Sequence, residues 1–203
     1  MSILQTQALQ LVLASTSPYR RELLQRLQVP FEVAAPEVDE TPLPHETPEA
    51  TALRLSQLKA RAVKEAYPNA LIIGSDQVAT VDGLQIGKPG THQRAVEQLR
   101  LMAGKCVVFH TALSLYNSAS GSMQTACVPT TVHLRPLTES QIESYLRKDE
   151  PYNCAGSARV ETLGIAVIRK LQSDDPNALI GLPLITLTQM LANEGLDVLT
   201  WAA

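Results

Sequence analysis

The stretch KCVVFHTALSLYNSASGSMQTACVPTTVHLR, residues 105–135, carries the clearest β-strand pattern in the chain. Apolar side chains recur at alternate positions from 107 to 115 and again from 126 to 134, as on one face of a strand. Between the two halves, residues 117–121 contain the Asn, Ser and Gly that turns favour. The pattern predicts two antiparallel strands joined by a turn.

Further strands and helices are predicted on both sides of this pair. Short apolar runs predict strands at 9–14, 31–35, 70–74 and 166–168. Helical periodicity and capping residues predict helices at 17–28, 49–66, 92–103, 138–147 and 184–193. Asp82 and Gly83 predict a hairpin turn after the strand at 70–74. The alternation indicates an α/β or α+β fold, and we expect one domain over residues 1–203.

The composition argues against several classes of protein. The net charge is −3 and no long basic run is present, which disfavours binding to a nucleic-acid polymer. No apolar run approaches the roughly 20 residues of a membrane-spanning helix, and the opening residues lack the pattern of a signal peptide. Cys106, Cys127 and Cys154 are too widely spaced for a disulfide framework or a zinc site. We therefore expect a cytoplasmic protein without nucleic-acid or membrane partners.

Two arginines stand at the start of the first predicted helix, where the helix dipole already places partial positive charge. Ser17 is a good N-cap residue, so Arg20 and Arg21 fall in the first turn. Arg20 lies on the apolar side of this helix and is expected to point inward. With the free N–H groups and the hydroxyls of Ser15 and Ser17, this turn is a candidate phosphate site. Ordinary solvated arginines are the alternative.

Two lysines are further candidates for binding an anion. The helix predicted at 49–66 has an apolar stripe made of Leu55, Leu58, Ala62 and Ala66. Lys59 is expected at the edge of this stripe, and Lys88 follows a glycine after the hairpin. Taken singly, each could also be a surface lysine whose charged end reaches solvent.

Asp76 follows directly on the apolar strand predicted at 70–74. A carboxylate just past the end of a buried strand is well placed to face a crevice, although a turn or capping aspartate is the alternative. The proline-rich segment 36–48 carries further acidic residues, among them Glu37, Asp39 and Glu40. If this segment folds over Asp76, its oxygen ligands suit Mg²⁺ or Mn²⁺ rather than zinc. A solvated acidic loop is the alternative.

Taken together, these residues fit the cleavage of a triphosphate. Arg20, Lys59 and Lys88 would balance the phosphate charge. Glu40 and Asp76 would provide a metal site, and Asp76 a base for the attacking water. Neither a G-x-G-x-x-G motif nor a Walker-type loop is present, which argues against dinucleotide oxidoreductases and P-loop NTPases.

Five short motifs, in this order along the chain, resemble the signatures of Maf nucleotide pyrophosphatases. They are LASTSPYRR at 13–21, VDET at 38–41, GSDQ at 74–77, GKP at 87–89 and GLPL at 181–184. The resemblance implies the Maf α/β fold, related to that of inosine-triphosphate pyrophosphatases. This fold has an elongated mixed β-sheet flanked by helices around a central cleft. Members of the family often form homodimers.

The resemblance also implies an activity and a set of site residues. The reaction is hydrolysis between the α and β phosphates of a nucleoside triphosphate, helped by Mg²⁺ or Mn²⁺, with Co²⁺ as a further candidate. By motif, Asp76 takes the place of the proton acceptor. The phosphate-binding places fall to Ser15, Arg20, Lys59 and Lys88. The metal-proximal places fall to Glu40 and Asp76.

Three positions divide this family by base preference, and here they read Tyr19, Gln77 and Glu161. The branch acting on dTTP and UTP typically carries Arg, Thr and Gln. The YceF-type branch of 7-methyl-GTP pyrophosphatases carries Trp, Gln and Glu, and this chain resembles it. Because methylation at N7 makes guanine cationic, an aromatic face at position 19 gains about 0.5–2 kcal/mol of cation–π attraction. Tyrosine stacks less strongly than tryptophan and adds a hydroxyl that needs a partner.

Glu161 distinguishes the purine from the pyrimidine reading. Its carboxylate can accept hydrogen bonds from guanine N1–H and the 2-amino group, whereas it would repel the carbonyls of thymine or uracil. The favoured hypothesis is hydrolysis of 7-methyl-GTP to 7-methyl-GMP and pyrophosphate, which removes modified nucleotides from the pool. One alternative is a Maf-type pyrophosphatase of dTTP/UTP or broad specificity. Another is a nucleotide-binding regulator of cell division, against which Asp76, Lys59 and Lys88 argue.

Overall fold

The structure, a computed structural model that describes residues 9–201, is built on one seven-stranded mixed β-sheet. The strands are β1 (Gln10–Ala14), β2 (Glu32–Ala34), β3 (Ala70–Val81), β4 (Leu84–Ile86), β5 (Cys106–Asn117), β6 (Met123–Leu134) and β7 (Ile168–Ser173). The helices are α1 (Pro18–Gln25), α2 (Pro48–Ala62), α3 (His92–Met102), α4 (Glu139–Asp149) and α5 (Leu184–Asn193). The sheet order is β2-β1-β3-β5-β6-β7, with β4 paired to β3. The predicted α/β class, with a mixed sheet flanked by helices, is confirmed.

Residues 1–8 and 202–203 lie outside the described part of the chain, as does most of the opening segment that lacks a signal-peptide pattern. That residues 1–203 form one domain therefore stays a prediction. Within residues 9–201, no helix has the length and apolar character needed to cross a membrane.

The hairpin predicted at 105–135 forms. β5 and β6 pair antiparallel from Cys106 opposite His133 to Tyr116 opposite Met123. Gly121, in the turn between them, has a φ of 77°, which costs little only for glycine. The apolar residues at alternate positions of β5 are buried, because this strand lies in the interior of the sheet between β3 and β6.

β3 is longer than predicted, and one of its edges is only partly paired. β5 pairs with one edge along residues 71–81. On the other edge, β1 pairs with residues 70–74 and β4 with residues 79–81, so in the described chain 75–78 have a strand on one side alone. The prediction that the strand ends at Gly74 is wrong, and Asp76 lies inside the strand. The polar residues Ser75, Asp76 and Gln77 interrupt the apolar pattern of the sequence, but the backbone pairing with β5 continues through them.

Helices cover both faces of the sheet. On one face, α1 and α5 pack with Leu71 and Ile73 of β3. Further along this face, α3 and α4 pack with Ala79 and Val81. α2 covers the opposite face and packs with Ile72. On the first face, the stretch of β3 between the α1/α5 pair and the α3/α4 pair carries no α-helix of the described chain. A cleft can form there.

Two helices end earlier than their patterns predict. α1 stops at Gln25 rather than Gln28, because the N–H groups of Arg26, Leu27 and Gln28 bond three residues back instead of four. α2 stops at Ala62 rather than Ala66, where N–H groups start to bond three residues back instead of four. Both helices therefore close with tight turns.

The strand predicted at 166–168 is wrong in its position. Leu163–Val167 forms a 3-10 turn, and β7 begins only at Ile168. β7 is the last strand of the sheet order, and most of its side chains are exposed. Because neither face of an exposed edge strand needs to be apolar, the sequence pattern does not reveal it.

The apolar stripe predicted for α2 is also wrong. Leu58 is 39% exposed, and Ala62 and Ala66 are exposed as well. The buried side of α2 consists of Thr51, Ala52, Leu55, Ser56, Lys59 and Ala60. This side is mostly small because the helix backbone lies directly on Gly74 of β3. Lys59 is therefore part of the buried side, not its edge.

The contact at Gly74 leaves no room for a side chain. A Cβ added there would lie 2.1 Å from the carbonyl oxygen of Ser56 and 2.7 Å from the backbone nitrogen of Ala60. We expect Gly74→Ala to lower the free energy of unfolding by about 3 kcal/mol, since α2 would have to move away from the sheet. Chemical denaturation measures this change directly.

Gly87→Ala is the matched control for this substitution. A Cβ at Gly87 would meet no atom within 4 Å, so the free energy of unfolding should change by less than about 1 kcal/mol. Equal unfolding midpoints for the two variants would contradict the close packing of α2 on β3.

Candidate active site

A cavity of about 610 Å³ opens at the partly paired edge of β3. All the site residues predicted from the sequence line it: Ser15, Tyr19, Arg20, Glu40, Lys59, Asp76, Gln77, Lys88 and Glu161. They come from α1, α2, β3 and the loops beside them, so the fold assembles residues that are far apart in the chain. The structure thus places them together, while their individual roles stay predictions.

Lys59 lies between two carboxylates at one end of the cavity. Its Nζ donates to Oδ1 of Asp76 at 2.6 Å and lies 2.7 Å from Oε1 of Glu40. Lys59 and Asp76 are only 6% and 7% exposed. Because a buried charge is costly unless it is paired, the two carboxylates are what allows a lysine at this position. The surface-lysine reading of Lys59 is therefore wrong.

The loop that carries Glu40 is fastened to α2 by one ion pair. Arg54 donates from Nε and Nη2 to the carboxylate of Glu46 at 2.7 and 2.8 Å. Its Nη2 also donates to the carbonyl oxygen of Thr41, the residue after Glu40, at 3.1 Å. The hydrogen bonds that Glu46 accepts, first those from Arg54 and then those from Leu43 and Thr51, lower its pKa to about 2. These contacts of Arg54 hold the loop where Glu40 lies within reach of Lys59.

The electrostatics at Glu40 reveal which cations face it. Burial pushes the pKa of Glu40 upward, but the hydrogen bond from Lys59 and the charges of Lys59, Lys88 and Arg20 bring it below its ordinary value. Burial lowers the pKa of Arg20, and the negative charges of Asp76 and Glu40 oppose this shift. Three cations and two carboxylates therefore share this end of the cavity.

Arg20 is held so that only part of its guanidinium is used by the protein. Its Nε donates to the carbonyl oxygen of Gly181 at 2.9 Å, and Ser75 donates to the same oxygen at 2.8 Å. In residues 9–201, no hydrogen bond involves the two terminal Nη groups of Arg20. These Nη groups remain available to a phosphate. Gly181, the first residue of the GLPL motif at 181–184, holds Arg20 in place by accepting from its Nε.

The first turn of α1 differs in one respect from the predicted phosphate cradle. The N–H of Ser17 donates to Oγ of Ser15 at 3.1 Å, and the N–H of Arg20 donates to Oγ of Ser17 at 3.3 Å. These capping bonds use two of the N–H groups that the prediction left free. The serine hydroxyl protons remain as donors. Arg21 is exposed and does not line the cavity.

Gln77 lines the same cavity and is fixed by hydrogen bonds at its amide nitrogen. Its Nε2 lies within 3.1 Å of Oγ1 of Thr111 and of the carbonyl oxygens of Ala178 and Leu179. Since carbonyl oxygens can only accept, these contacts assign the orientation of the amide. The amide oxygen, Oε1, is the group left to accept from a ligand.

Asp76 and Gln77 are neighbours on β3, so their side chains point to opposite faces of the sheet. Asp76 meets α2 on one face, and Gln77 meets the segment at 178–179 on the other. One cavity can reach both because residues 75–78 have no strand beyond them on that edge in the described chain. A ligand can therefore extend around the edge of the sheet.

Tyr19 has a partner that the sequence did not reveal. Nη1 of Arg159 donates to its hydroxyl at 3.4 Å, across 140 positions of sequence. Cys154 and the apolar side chains of Phe109 and Val160 also line this part of the cavity. No periodicity or motif points to Arg159 as a partner of Tyr19, so only the folded chain shows this contact.

The fit of a divalent metal ion rests on two carboxylates. Glu37 and Asp39 do not line the cavity. Within the described chain, no group of three or more His, Cys, Asp or Glu side chains is placed to hold a metal by itself. Glu40 and Asp76 converge on Lys59, and Mg²⁺ commonly takes one or two carboxylates beside substrate phosphates. The donor set fits an ion that arrives with its nucleotide.

Replacing Lys59 tests the ion pairs directly. In Lys59→Met, the hydrogen bond and the positive charge that lower the pKa of Glu40 are gone, so this pKa should rise to its ordinary value or above. NMR titration of the glutamate side-chain carboxyl carbons measures the shift. Lys64→Met, which removes an exposed lysine paired with Glu65, should leave the pKa of Glu40 unchanged. An unchanged pKa in both variants would contradict the contact between Lys59 and Glu40.

Comparisons with known proteins agree with the geometry. A protein of Thiobacillus denitrificans is 64% identical over 95% of this chain and 96% of its own, and is named 7-methyl-GTP pyrophosphatase. One of Methylobacillus flagellatus with the same name is 64% identical over 93% of this chain and 98% of its own. The solved Staphylococcus aureus Ham1 protein aligns with 62% of this chain and 71% of its own at 15% identity, with a TM-score of 0.45, too weak to argue from. The family described as Maf-like protein matches residues 10–194, and the chain belongs to this family.

Proposed function

We propose that this chain hydrolyses 7-methyl-GTP to 7-methyl-GMP and pyrophosphate. The observation that carries the proposal is that one cavity is lined both by Arg20, Lys59 and Lys88, which we call the cation-rich end, and by Tyr19, Gln77 and Glu161, which we call the base-reading end. Its support from relatives is the name 7-methyl-GTP pyrophosphatase, borne by proteins 64% identical over more than nine-tenths of this chain. The reaction would remove a modified nucleotide from the pool.

The cation-rich end suits a triphosphate. Arg20, Lys59 and Lys88 line it, and their charges can balance the negative charge of the phosphates and of the departing pyrophosphate. The hydroxyl of Ser15 adds a neutral donor beside them. Glu40 and Asp76 would hold a divalent ion, Mg²⁺ or Mn²⁺ with Co²⁺ as a third candidate, which would neutralise part of the phosphate charge.

Asp76 is the residue we assign to proton transfer. Its Oδ1 is held by Lys59, while its Oδ2 makes no hydrogen bond to residues 9–201 and can accept a proton from water. As the water oxygen bonds to the α phosphorus, the bond from that phosphorus to the bridging oxygen breaks and pyrophosphate leaves. A base fixed within reach of the attacking water typically contributes a factor of about 10²–10⁴ to the rate.

The base-reading end suits a methylated guanine. The face of Tyr19 offers cation–π attraction to a positively charged ring. Oε1 of Gln77 and the carboxylate of Glu161 are both acceptors, and guanine presents N1–H and its 2-amino group as donors. A pyrimidine presents one ring N–H between two carbonyls, and these would face the same acceptors unfavourably.

The cellular setting is part of this proposal. A substrate drawn from the nucleotide pool supports a cytoplasmic location. The homodimer implied by the family resemblance is proposed on that resemblance alone.

Pyrophosphate release from a panel of nucleoside triphosphates, with Mg²⁺, with Mn²⁺ and with chelator, tests the proposal. We expect metal-dependent release with the highest kcat/KM for 7-methyl-GTP. Highest activity on dTTP or UTP would overturn the assignment of the base. Nucleotide binding without release on any substrate would overturn the assignment as an enzyme.

Asp76→Asn should lower kcat at least about 100-fold, because the amide cannot accept the proton that a carboxylate accepts. Thermal unfolding of the variant should show that it remains folded. Asp82→Asn is the matched control on the same strand region, since Asp82 is exposed at the turn after β3 and pairs with Lys105. It should retain full activity. Comparable kcat values for Asp76→Asn and the wild type would rule out the proposed role.

Glu161→Gln should reduce the preference for 7-methyl-GTP over UTP by roughly tenfold or more, the worth of hydrogen bonds to a charged acceptor. The ratio of kcat/KM values for the two substrates is the readout. Glu65→Gln, a change at an exposed residue outside the cavity, should leave the ratio unchanged. If Glu161→Gln left it unchanged as well, Glu161 would not read the base.

A further inference from the structure

We propose that Arg159 is a positioning residue for the base: it fixes the ring of Tyr19 through its hydroxyl, while Asp149 cancels the charge of Arg159. This inference rests on the proposed function, because it concerns how a cationic purine is accepted. Neither Arg159 nor Asp149 belongs to the motifs that resemble the family signatures.

Every nitrogen of the Arg159 guanidinium has a partner. Nη1 donates to the hydroxyl of Tyr19 at 3.4 Å. Nε donates to Oγ1 of Thr162 at 2.9 Å, and Nη2 donates to the backbone oxygen of Asp149 and to its Oδ1, the latter at 3.1 Å. A planar guanidinium held on three sides cannot rotate, so it presents Nη1 to Tyr19 in one direction.

The backbone beneath Arg159 is fixed as well. Its N–H donates to the hydroxyl of Tyr145 at 3.2 Å, and its carbonyl oxygen accepts from the N–H of Gly164 at 3.0 Å. A Cβ at Gly164 would lie 2.4 Å from that carbonyl oxygen, so the two segments pack backbone to backbone. Arg159 therefore acts from a rigid support.

Arg159 gives the ring of Tyr19 a second point of attachment. Its backbone belongs to the first turn of α1, and the ring projects into the cavity. The hydrogen bond from Arg159 anchors the far end of the ring. With both ends fixed, the aromatic face is held in place for a base before the base arrives, which reduces the entropy lost on binding.

A guanidinium near the base would repel a cationic purine if its charge were not cancelled. The side chain of Asp149 is only 5% exposed, and one of its oxygens, Oδ2, has no hydrogen-bond partner in residues 9–201. Burial pushes the pKa of Asp149 upward, but the hydrogen bond and the positive charge of Arg159 help to bring it below its ordinary value. Asp149 is thus ionised at neutral pH and cancels the charge of Arg159.

Glu161 then determines the charge that a base meets. It takes part in none of the ion pairs found in residues 9–201. With Arg159 and Asp149 paired, the carboxylate of Glu161 is the uncompensated charge at this end of the cavity. Arg159 can therefore orient the ring of Tyr19 without adding a net positive charge that would repel a cationic base.

A double-mutant cycle on Tyr19→Phe and Arg159→Lys tests the inference. Each change removes the hydrogen bond, and Arg159→Lys keeps a positive charge opposite Asp149. For each variant, kcat and KM are measured with 7-methyl-GTP and with GTP, and thermal unfolding verifies the fold. We expect each single variant to raise KM for 7-methyl-GTP about threefold to tenfold with kcat changed less than twofold. The KM of the double variant should be no higher than that of the more affected single variant, because both changes remove the same hydrogen bond.

Tyr67→Phe is the matched control, since Tyr67 donates a hydroxyl hydrogen bond to Glu32 away from the cavity. It should leave both KM values unchanged. A wild type without preference for 7-methyl-GTP over GTP would overturn the proposed function and this inference with it. A preference that is present in the wild type and unaltered in the single variants, or effects that add in the double variant, would overturn the inference alone. Tyr19→Phe keeps the test valid even if Arg159→Lys fails to fold.

Discussion

The direct contact between α2 and Gly74 of β3 is the constraint on which the rest of the structure depends. Because no side chain separates the helix from the strand there, the residues beside the contact are forced together. Lys59 precedes Ala60, which touches Gly74, and Asp76 lies two positions further along β3 on the same face. The buried pair of Lys59 and Asp76 follows from this packing. Lys59 also pairs with Glu40, whose loop is held to α2 by the ion pair of Arg54 and Glu46.

The partly paired edge of β3 is the second feature that the site requires. Had β1 continued past Ala14, or had β4 begun to pair earlier, residues 75–78 would carry a strand on both sides. The side chains of Asp76 and Gln77 would then belong to two separate faces of a closed sheet. Because that edge is open in the described chain, one ligand can contact side chains on both faces of the sheet. Asp76 and Gln77 can therefore line the same cavity although they are adjacent on β3.

How much could be predicted from the sequence depended on how local the signal was. The strands of 105–135 and the capped start of the helix predicted at 138–147 are confirmed, because alternation and capping are set by neighbouring residues. The long β3, the buried side of α2 and the position of β7 were missed. In each case pairing or packing with a distant part of the chain decided the outcome.

The same distinction holds for the candidate site. Singly, Arg20, Lys59 and Asp76 each had an ordinary structural explanation, and only the ordered set of motifs brought them into one hypothesis. The structure adds what no motif contains, namely the pairing of Lys59 with two carboxylates and the contact of Tyr19 with Arg159. These contacts join residues that lie far apart in sequence, and so they could not be inferred from spacing.

The most direct test of the account is a crystal structure of Asp76→Asn with 7-methyl-GTP and Mg²⁺ bound. We expect the phosphates among Ser15, Arg20, Lys59 and Lys88, with the α phosphorus beside position 76. We expect the methylated base against the ring of Tyr19, with its donors toward Gln77 and Glu161. A nucleotide bound in the reverse direction, or bound outside this cavity, would contradict the division of the site into a phosphate end and a base end.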